Sequence, residues 1–468
     1  MIRRLLSLLG GFAGESAILF VRNIVIARLL SVEDYGIAAT FALTAMLVEM
    51  ASQLGLRQLV IQAPEGDDPD FQAGLHGVMA LRAIVNAAAV LVLAGPIAWF
   101  LGLPELAWAY RVVALVPLSQ GILHLDPDRL QRHSRYRAAI LSPLVAATVS
   151  LVVLWPLDAI LGDWRIMLGA LLVQIGTQVA LSHILAERPW RARLDLPLLR
   201  RSFGFGWPLL VNGLVLYAVM NGEKLIAGRE IGLAALGILT MGTTLTMTPV
   251  LVGTRAVQAL MLPRLSQAEG PRFAGLAATT CDGGAAVAMA LMAGTILVGP
   301  PFVHLALGPK FDPLVPLLVP LAAIQAARGF RLGPSFVAMS RARTTLPMLA
   351  NLPRVAAIGI AWMVLIRGGG LLELVLIGAA GEAAGTALAY ALMARVPGAP
   401  AAAAAARAAL PAGLAVLALA ASLVRWNGLP VPGLGAAGAA WALYALSAAM
   451  LAWMGLACWR LVRIGRGG

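Results

Sequence analysis

The chain alternates between long apolar stretches and short polar gaps along all 468 residues. A helix needs about 20 mostly apolar residues to cross the hydrocarbon core of a bilayer. Stretches of this length recur often enough to predict fourteen membrane-spanning helices. Their predicted centres lie near residues 17, 45, 88, 115, 150, 175, 216, 248, 295, 322, 355, 382, 413 and 447. The pattern therefore predicts an all-α polytopic membrane protein.

The polar gaps differ in charge on the two predicted sides of the membrane. With the N-terminus inside, the cytoplasmic gaps hold roughly three times as many basic residues as the opposite gaps, as the positive-inside tendency requires. This bias predicts an even number of spans, with both termini in the cytoplasm. The opposite gaps are too short for a folded domain outside the membrane.

The most basic long gap, residues 187–205, lies near the middle of the chain and predicts a cytoplasmic linker. It would join an N-terminal six-helix lobe (residues 1–186) to a C-terminal six-helix lobe (residues 206–394). Residues 395–468 would add two further spans and a cytoplasmic tail. When the sequence is aligned with itself at an offset of 201 residues, Gly36 matches Gly237, which indicates a weak internal repeat. Apolar chains give such matches by chance, but with the central linker they favour a duplicated bundle, a common design among transporters.

Composition narrows the class of protein. The residues are 60% hydrophobic and 12% charged, with a mean hydropathy of +0.86, which excludes a soluble enzyme with a conventional core. The net charge of +13 would also fit a nucleic-acid-binding protein. The basic residues, however, follow the gaps between spans, so we expect no nucleic-acid partner. The two cysteines and five histidines are scattered and predict neither a disulfide framework nor a metal site.

No catalytic constellation is visible in the sequence. There is no phosphate-cradling glycine loop or Walker motif, so we expect no ATP hydrolysis, no cofactor and no enzymatic activity. Asp126 and Asp128 form a carboxylate pair in a basic gap and resemble a metal-binding DxD element. Nothing near them indicates a nucleotide site, and we interpret them as acidic loop residues.

Polar residues inside the predicted spans are the best functional candidates, because an ionisable residue at the membrane centre costs about 2.5–3.5 kcal/mol on insertion scales. In the first span Glu15 and Arg22 are seven residues apart, which places them on one helix face, and Asn23 follows Arg22. In the seventh span Asn221 and Lys224 share a face. The other candidates in the spans are Glu49, Arg82, Arg255, Arg354 and Glu382.

These candidates have two interpretations. The basic residues and amides would bind substrate, and the three acids Glu15, Glu49 and Glu382 would couple transport to an ion. Alternatively, the charges pair to fix helix packing, or the arginines of spans three, eight and eleven extend to the inner surface. The basic residues slightly outnumber the acids, which favours a mildly positive cavity. Such a cavity suits an anionic substrate, and arginine suits phosphate oxygens in particular.

Several short motifs occur in an order that resembles bacterial polysaccharide flippases. The first is RNIVIARLLSVEDYG at residues 22–36, and the others are LQR at 130–132, FGFGWP at 203–208, EKLIAG at 223–228 and PRLS at 263–266. These flippases belong to the multidrug/oligosaccharidyl-lipid/polysaccharide exporter superfamily. The sequence departs from the family pattern at two places, which bear on the subfamily. Glu223 stands where the family usually has Asp, and Ile238 and Leu239 replace a common aromatic.

The resemblance implies two six-helix lobes around a central cavity, plus two C-terminal helices. It also implies a function: flipping an undecaprenyl-pyrophosphate-linked oligosaccharide from the inner to the outer leaflet by alternating access. This step serves assembly of O-antigen lipopolysaccharide, capsule or exopolysaccharide. The implied location is the bacterial inner membrane. The implied partners are the polyprenyl-pyrophosphate-linked glycan, the lipid bilayer, and a polysaccharide polymerase with its assembly proteins.

Two alternatives stay open at the level of sequence. A cation-coupled multidrug exporter of the same superfamily would use the acids Glu15, Glu49 and Glu382 to carry cations. A membrane polysaccharide polymerase would need a substantial outer loop with catalytic residues, and the sequence predicts none. For the flippase, Arg22 and Lys224 are the preferred phosphate ligands, one from each predicted lobe, followed by Arg255 and Arg82.

Overall fold

The computed structural model describes residues 2–50 and 54–466, and in this part of the chain the regular structure is helical apart from one isolated bridge between Val431 and Leu434. The α-helices are α1 (Ile2–Leu29), α2 (Val32–Met50), α3 (Leu56–Gln62), α4 (Pro69–Phe100), α5 (Ala107–Val113), α6 (Leu115–Gly121), α7 (Asp126–Arg132), α8 (Arg137–Val152), α9 (Leu154–Leu161), α10 (Arg165–Ile184), α11 (Leu196–Glu230), α12 (Leu233–Gln267), α13 (Gly270–Phe302), α14 (Val315–Ser340), α15 (Thr345–Leu349), α16 (Leu352–Leu365), α17 (Leu371–Met393), α18 (Ala401–Asn427) and α19 (Ala436–Arg466).

The helices agree with the predicted spans in position. Each of the fourteen predicted centres lies inside a helix. Among the described residues, ten helical segments are long and apolar enough to cross a membrane. An eleventh is added if residues 104–121 and 126–132, which meet at 45°, form one broken span. The helices α1, α2 and α11 are also long, with 28, 19 and 35 residues. The all-α polytopic class is confirmed, and the number fourteen remains a prediction.

Local sequence explains where several helices begin and end. Asp68 caps α4 by accepting a hydrogen bond from the backbone N–H of Asp70 at 2.9 Å, and Pro69 occupies the first helical position. Asp195 caps α11 in the same way through the N–H of Leu198, at 2.9 Å. Gly428 follows α18 with φ of 67°, a left-handed conformation that glycine adopts without strain.

The described chain divides into two compact units, residues 1–237 and 238–468. In the first unit, α1 and α10 pack on α8, and α4 packs on α5 and α6. Its core contains the fully buried aromatic pair Phe41 and Tyr110, whose ring centroids are 5.0 Å apart. Tyr110 Oη also lies 2.6 Å from Thr40 Oγ1, so the polar end of the buried ring is satisfied.

Two glycines of the predicted repeat meet inside the first unit. A Cβ atom on Gly36 would lie 1.9 Å from the carbonyl oxygen of Leu233, and one on Gly237 would lie 2.5 Å from the carbonyl oxygen of Val32. The offset of 201 residues relates Val32 to Leu233 as it relates Gly36 to Gly237. The contact is therefore reciprocal, as expected for two elements related by a local two-fold axis.

The segment before α11 is held to the rest of the first unit by hydrogen bonds of its backbone atoms. His124 Nε2 lies 2.9 Å from the carbonyl oxygen of Arg188, and His76 Nδ1 lies 2.9 Å from that of Arg191. The N–H of Glu187 donates to Asp126 Oδ2 at 2.7 Å. Of the predicted linker, residues 187–195 are not helical, whereas residues 196–205 belong to α11. The lobe boundaries themselves stay a prediction.

In the second unit α13 packs against α14, α18 and α19. The side chain of Asp282 in α13 is 3% exposed and pairs with Arg407 of α18 and with Arg460 of α19, the latter at 3.6 Å. The C-terminal helix pair α18 and α19 is thus joined to the rest of this unit by a buried carboxylate as well as by apolar contacts.

Candidate functional site

Arg22 is a buried basic residue at the centre of a polar contact between three helices. Its side chain from α1 is 7% exposed, and Nη1 donates to Ser150 Oγ of α8 at 3.0 Å and to Gln174 Oε1 of α10. Its Nε is buried and makes no hydrogen bond among the described residues. The predicted neighbour Asn23 is half-buried. Arg22 therefore keeps donor capacity, and both of its hydrogen-bond partners in the described chain are neutral.

Two polar cavities lie next to each other in the first unit. The first cavity, of about 300 Å³, is lined by Glu49 of α2, Arg82 of α4 and Gln120 of α6. The second cavity, of about 350 Å³, is lined by Glu15 of α1 and by Asp128 and Gln131 of α7. Both cavities share the side chains Arg57, Gln58, Leu123 and Gln178.

The structure thus brings three predicted residues, Glu15, Glu49 and Arg82, to adjoining cavities. Arg57 was not among the candidates, because the sequence places it in a cytoplasmic gap. It lies 3.7 Å from Asp128 Oδ2 and lines both cavities. The charged side chains of the lining are nearly balanced, and four glutamines add neutral polar groups. Amide side chains both donate and accept hydrogen bonds, which suits a hydroxyl-rich ligand.

The polar residues of α11 form one face, as the sequence predicts. Tyr217 Oη donates to the carbonyl oxygen of Leu43 at 3.0 Å. Asn221 is 3% exposed and accepts a hydrogen bond from Lys224 Nζ at 3.2 Å, while its Nδ2 lies 3.7 Å from Met46 Sδ. Lys224 is half-buried. These contacts join α11 to α2 within the first unit.

In the second unit the candidates Arg354 and Glu382 are in direct contact, with Arg354 Nε 2.6 Å from Glu382 Oε1. Arg328 and Arg331 also contact this carboxylate, at 2.5 and 3.3 Å. The distribution of basic residues predicts a cytoplasmic position for these two arginines, and the structure places both inside α14. Their side of the membrane stays a prediction. Arg255, another candidate, is exposed on α12.

Acidic residues near the predicted cytoplasmic gaps form ion pairs. Asp126 accepts a hydrogen bond from Arg129 Nε at 2.5 Å, and no group of residues suited to a metal occurs in the described ranges. A hydrogen bond with His133 at 2.8 Å, aided by Arg132 and Arg129, lowers the pKa of Asp67. A hydrogen bond from Arg135 lowers the pKa of Glu187. Both pairs stabilise the fold at neutral pH, and the contribution is lost as acid protonates the carboxylates.

The chain is similar in sequence to known proteins of polysaccharide biosynthesis and transport. Residues 25–316 match the family model for polysaccharide biosynthesis proteins. Over 263 residues the chain is 24% identical to the succinoglycan biosynthesis transport protein ExoT of Rhizobium meliloti (strain 1021). That match covers 54% of this chain and 51% of ExoT, so the chain spans about half the length of the curated relative it matches.

Solved structures of membrane transporters have a similar fold. A lipid II flippase, MurJ, in an inward closed conformation is similar over 98% of both chains, with a TM-score of 0.70 and 13% identity. An inward-facing multidrug resistance transporter of the MATE family, in the MOP superfamily, is similar over 81% of this chain and 94% of its own, with a TM-score of 0.64 and 13% identity. At these identities the similarity establishes the fold, and the predicted fold class is confirmed.

Proposed function

Because the chain belongs to the polysaccharide biosynthesis protein family, we propose that it flips a lipid-linked oligosaccharide across the bacterial inner membrane for surface polysaccharide assembly. The cargo is an undecaprenyl-pyrophosphate-linked unit, moved from the inner to the outer leaflet by alternating access. The protein acts as a transporter rather than an enzyme, and both of its termini lie in the cytoplasm.

The observation that carries the proposal is family membership over residues 25–316, in a chain whose fold is similar over 98% of its length to that of a lipid II flippase. The polar interior supports it. A glycan with many hydroxyl groups needs donors and acceptors together, and glutamines supply both along the two cavities of the first unit.

In this proposal the basic residues bind the pyrophosphate. Arg22 is the first choice, because it is buried and retains an Nε with no hydrogen bond in the described chain. Lys224 is the second choice, with Asn221 as its amide partner at 3.2 Å. Arg82, Arg255, Arg354 and Asn23 are further proposed ligands. Glu15 and Glu49 remain proposed sites of ion coupling.

The test is the location of lipid-linked oligosaccharides in a strain that lacks the protein. Mass spectrometry measures the intermediates, and a membrane-impermeant glycan-cleaving enzyme added to spheroplasts reports which face they occupy. We expect complete units to accumulate out of reach of the enzyme, because synthesis continues while transfer stops. Expression of the intact chain restores the accessible pool.

Other results would contradict the proposal. Normal amounts of intermediates on both faces would mean that another protein transfers them. Accumulation of single units on the outer face would instead indicate a polymerase, since transfer would be complete while chain growth had stopped.

A cation-coupled multidrug exporter is the second candidate, and one observation favours it. Glu15 and Glu49 line adjoining cavities in a fold that is also found in a multidrug transporter. Carboxylates in a cavity attract cationic drugs and protons. If this candidate is correct, deletion makes cells more susceptible to cationic drugs and leaves the lipid-linked intermediates unchanged.

A further inference from the structure

Three arginines of the second unit surround one glutamate inside the helical bundle. Glu382 of α17 is 3% exposed, and the side chains of Arg328, Arg331 and Arg354 are 16%, 11% and 7% exposed. Arg328 Nε and Arg354 Nε both lie at Glu382 Oε1, at 2.5 and 2.6 Å, and Arg331 Nη1 lies 3.3 Å from Oε2. We call these four residues the arginine cluster.

The arginine cluster lies at membrane depth. Glu382 is near the middle of the segment Leu371–Met393, and Arg354 is near the middle of Thr345–Leu365, both of which are long and apolar enough to span a membrane. Small residues allow the close approach. A Cβ atom on Gly381 would lie 2.4 Å from the Cβ of Ala357, and one on Gly385 would lie 2.7 Å from the carbonyl oxygen of Ala350.

The charges of the arginine cluster do not balance. Residues 238–468 contain five acidic residues, and four of them lie elsewhere. Glu269 precedes α13, Asp282 pairs with Arg407, Asp312 lies 3.3 Å from His304, and Glu373 binds the N–H of Gly370. Arg328 and Arg331 alone exceed the charge of Glu382 by one, whatever else Arg354 contacts.

An uncompensated buried charge is costly, and arginine cannot relieve it by losing its proton. Neutral groups satisfy part of the cluster, since Arg328 Nη1 donates to Gln325 Oε1 at 3.2 Å and Arg354 Nη1 to Asn351 Oδ1 at 3.1 Å. Arg331 Nη1 makes no hydrogen bond among the residues that the structure describes. This nitrogen lies in an ion pair 3.3 Å from Glu382 Oε2, which also makes no hydrogen bond in the described chain. The cluster therefore carries excess positive charge, and Arg331 keeps hydrogen-bonding capacity.

We propose that the arginine cluster binds a phosphate-type oxyanion, with Arg331 as its main ligand. The guanidinium fork matches phosphate oxygens in geometry and supplies two donors to them. Glu382 holds Arg328 and Arg354 in place rather than carrying protons, because its protonation would leave three buried guanidinium groups without a counter-charge. The anion is either inorganic phosphate or the phosphate of a lipid headgroup. The inference does not depend on the proposed transport activity.

Thermal unfolding of the purified full-length protein tests this inference without a transport assay. One arm adds inorganic phosphate to detergent-solubilised protein, with potassium gluconate keeping the ionic strength constant. The other arm uses nanodiscs of phosphatidylcholine with and without phosphatidylglycerol, in gluconate alone. A ligand that binds only the folded state raises the melting temperature, and we expect a rise of about 1–3 °C in at least one arm.

Three variants identify the site. Arg331→Gln should abolish the rise and should not lower the melting temperature in gluconate, because it removes a surplus charge. Arg331→Lys should keep part of the rise. Arg343→Gln makes the same charge change at an exposed position and should keep all of it.

The arms distinguish the sources of the phosphate group. A rise with inorganic phosphate supports a site for the free ion, and a rise with phosphatidylglycerol alone supports a headgroup site. An equal rise in wild type and Arg331→Gln would overturn the proposal, because the effect would then be general. The absence of any rise in both arms would also overturn it, because the cluster would then be stable without an anion.

Discussion

At the scale of single residues, Arg22 is the candidate for which sequence and structure give complementary information. The sequence selects it because a charge in an apolar span is costly. The structure adds that its partners are Ser150 and Gln174, both neutral. A structural role and a ligand-binding role therefore predict different outcomes when Arg22 is changed.

We expect Arg22→Ala to reduce polysaccharide export at least tenfold at unchanged protein level, because the variant loses the positive charge that we propose as a pyrophosphate ligand. Arg22→Lys should keep partial export, since lysine retains the positive charge but lacks the planar guanidinium group that donates two parallel hydrogen bonds to a phosphate. Loss of hydrogen bonds to Ser150 and Gln174 should lower stability by about 1–3 kcal/mol. Export is measured as surface polysaccharide, and stability as the melting temperature.

Two controls separate these roles. Arg165→Ala removes an exposed arginine of the same unit and should leave export unchanged. Gln174→Ala disturbs the same polar contact while the charge remains, so it should lower stability with little effect on export. If Gln174→Ala and Arg22→Ala reduced export equally, the arginine would be a packing residue and not a phosphate ligand.

Other residues could not be placed from sequence. Arg328 and Arg331 precede a group of basic residues in the chain, so charge patterning assigns them to a cytoplasmic gap. Only the packing of α14 against α17 reveals that Glu382 lies beside them. Arg57 is a similar case, because its role in both cavities depends on where α7 and α10 pack.

At the scale of elements, the contact between α2 and the start of α12 depends on the absence of side chains. Gly36 and Gly237 each face the backbone of the other helix, so a methyl group at either position meets an atom that cannot rotate away. The sequence identifies both glycines through a weak repeat. Their contact with each other is visible only in three dimensions.

We expect Gly36→Ala to destabilise the protein by about 1–3 kcal/mol, because a new Cβ would overlap the carbonyl oxygen of Leu233 and force the helices apart. Gly237→Ala should act in the same direction. The measurement is the melting temperature of the purified protein, together with its amount in the membrane.

Gly176→Ala is the matched control on α10, where a Cβ would meet nothing within 4 Å. Alanine favours the helix over glycine, so this variant should be unchanged or stabilised by about 0.4–1 kcal/mol. If Gly36→Ala were as stable as Gly176→Ala, the two helices would not pack as closely as described.

At the scale of the whole molecule, the orientation in the membrane remains a prediction from the distribution of basic residues. We expect the segment before α11 to face the cytoplasm and the turn between α18 and α19 to face outwards. In a background with Cys281 and Cys458 replaced by serine, Leu429→Cys should react with a membrane-impermeant maleimide in intact cells. Ala192→Cys should react only after permeabilisation.

Both reporter positions are exposed, so a missing reaction in intact cells reports sidedness rather than burial. Full labelling after permeabilisation is the control for each variant. Reaction at residue 192 in intact cells, with residue 429 protected, would mean that the whole topology is reversed. Equal reaction of both in intact cells would mean an even number of spans between them, in place of the odd number that the prediction requires.

The sequence by itself determined the class of this protein, since the length and apolarity of its segments leave few alternatives to membrane helices. It also determined the positions of the helices, because the bilayer thickness sets a length that recurs along the chain. The order of short motifs indicated the family that the comparisons then established.

Only the tertiary structure decided which polar residues meet. Glu15 and Arg22 share a helix face in sequence, yet Glu15 lines a cavity while Arg22 binds Ser150 and Gln174. Glu382 and its three arginines lie on helices that are far apart in the chain. The physical reason is that apolar periodicity specifies that a helix is buried, whereas the partner of a buried charge depends on how the helices pack.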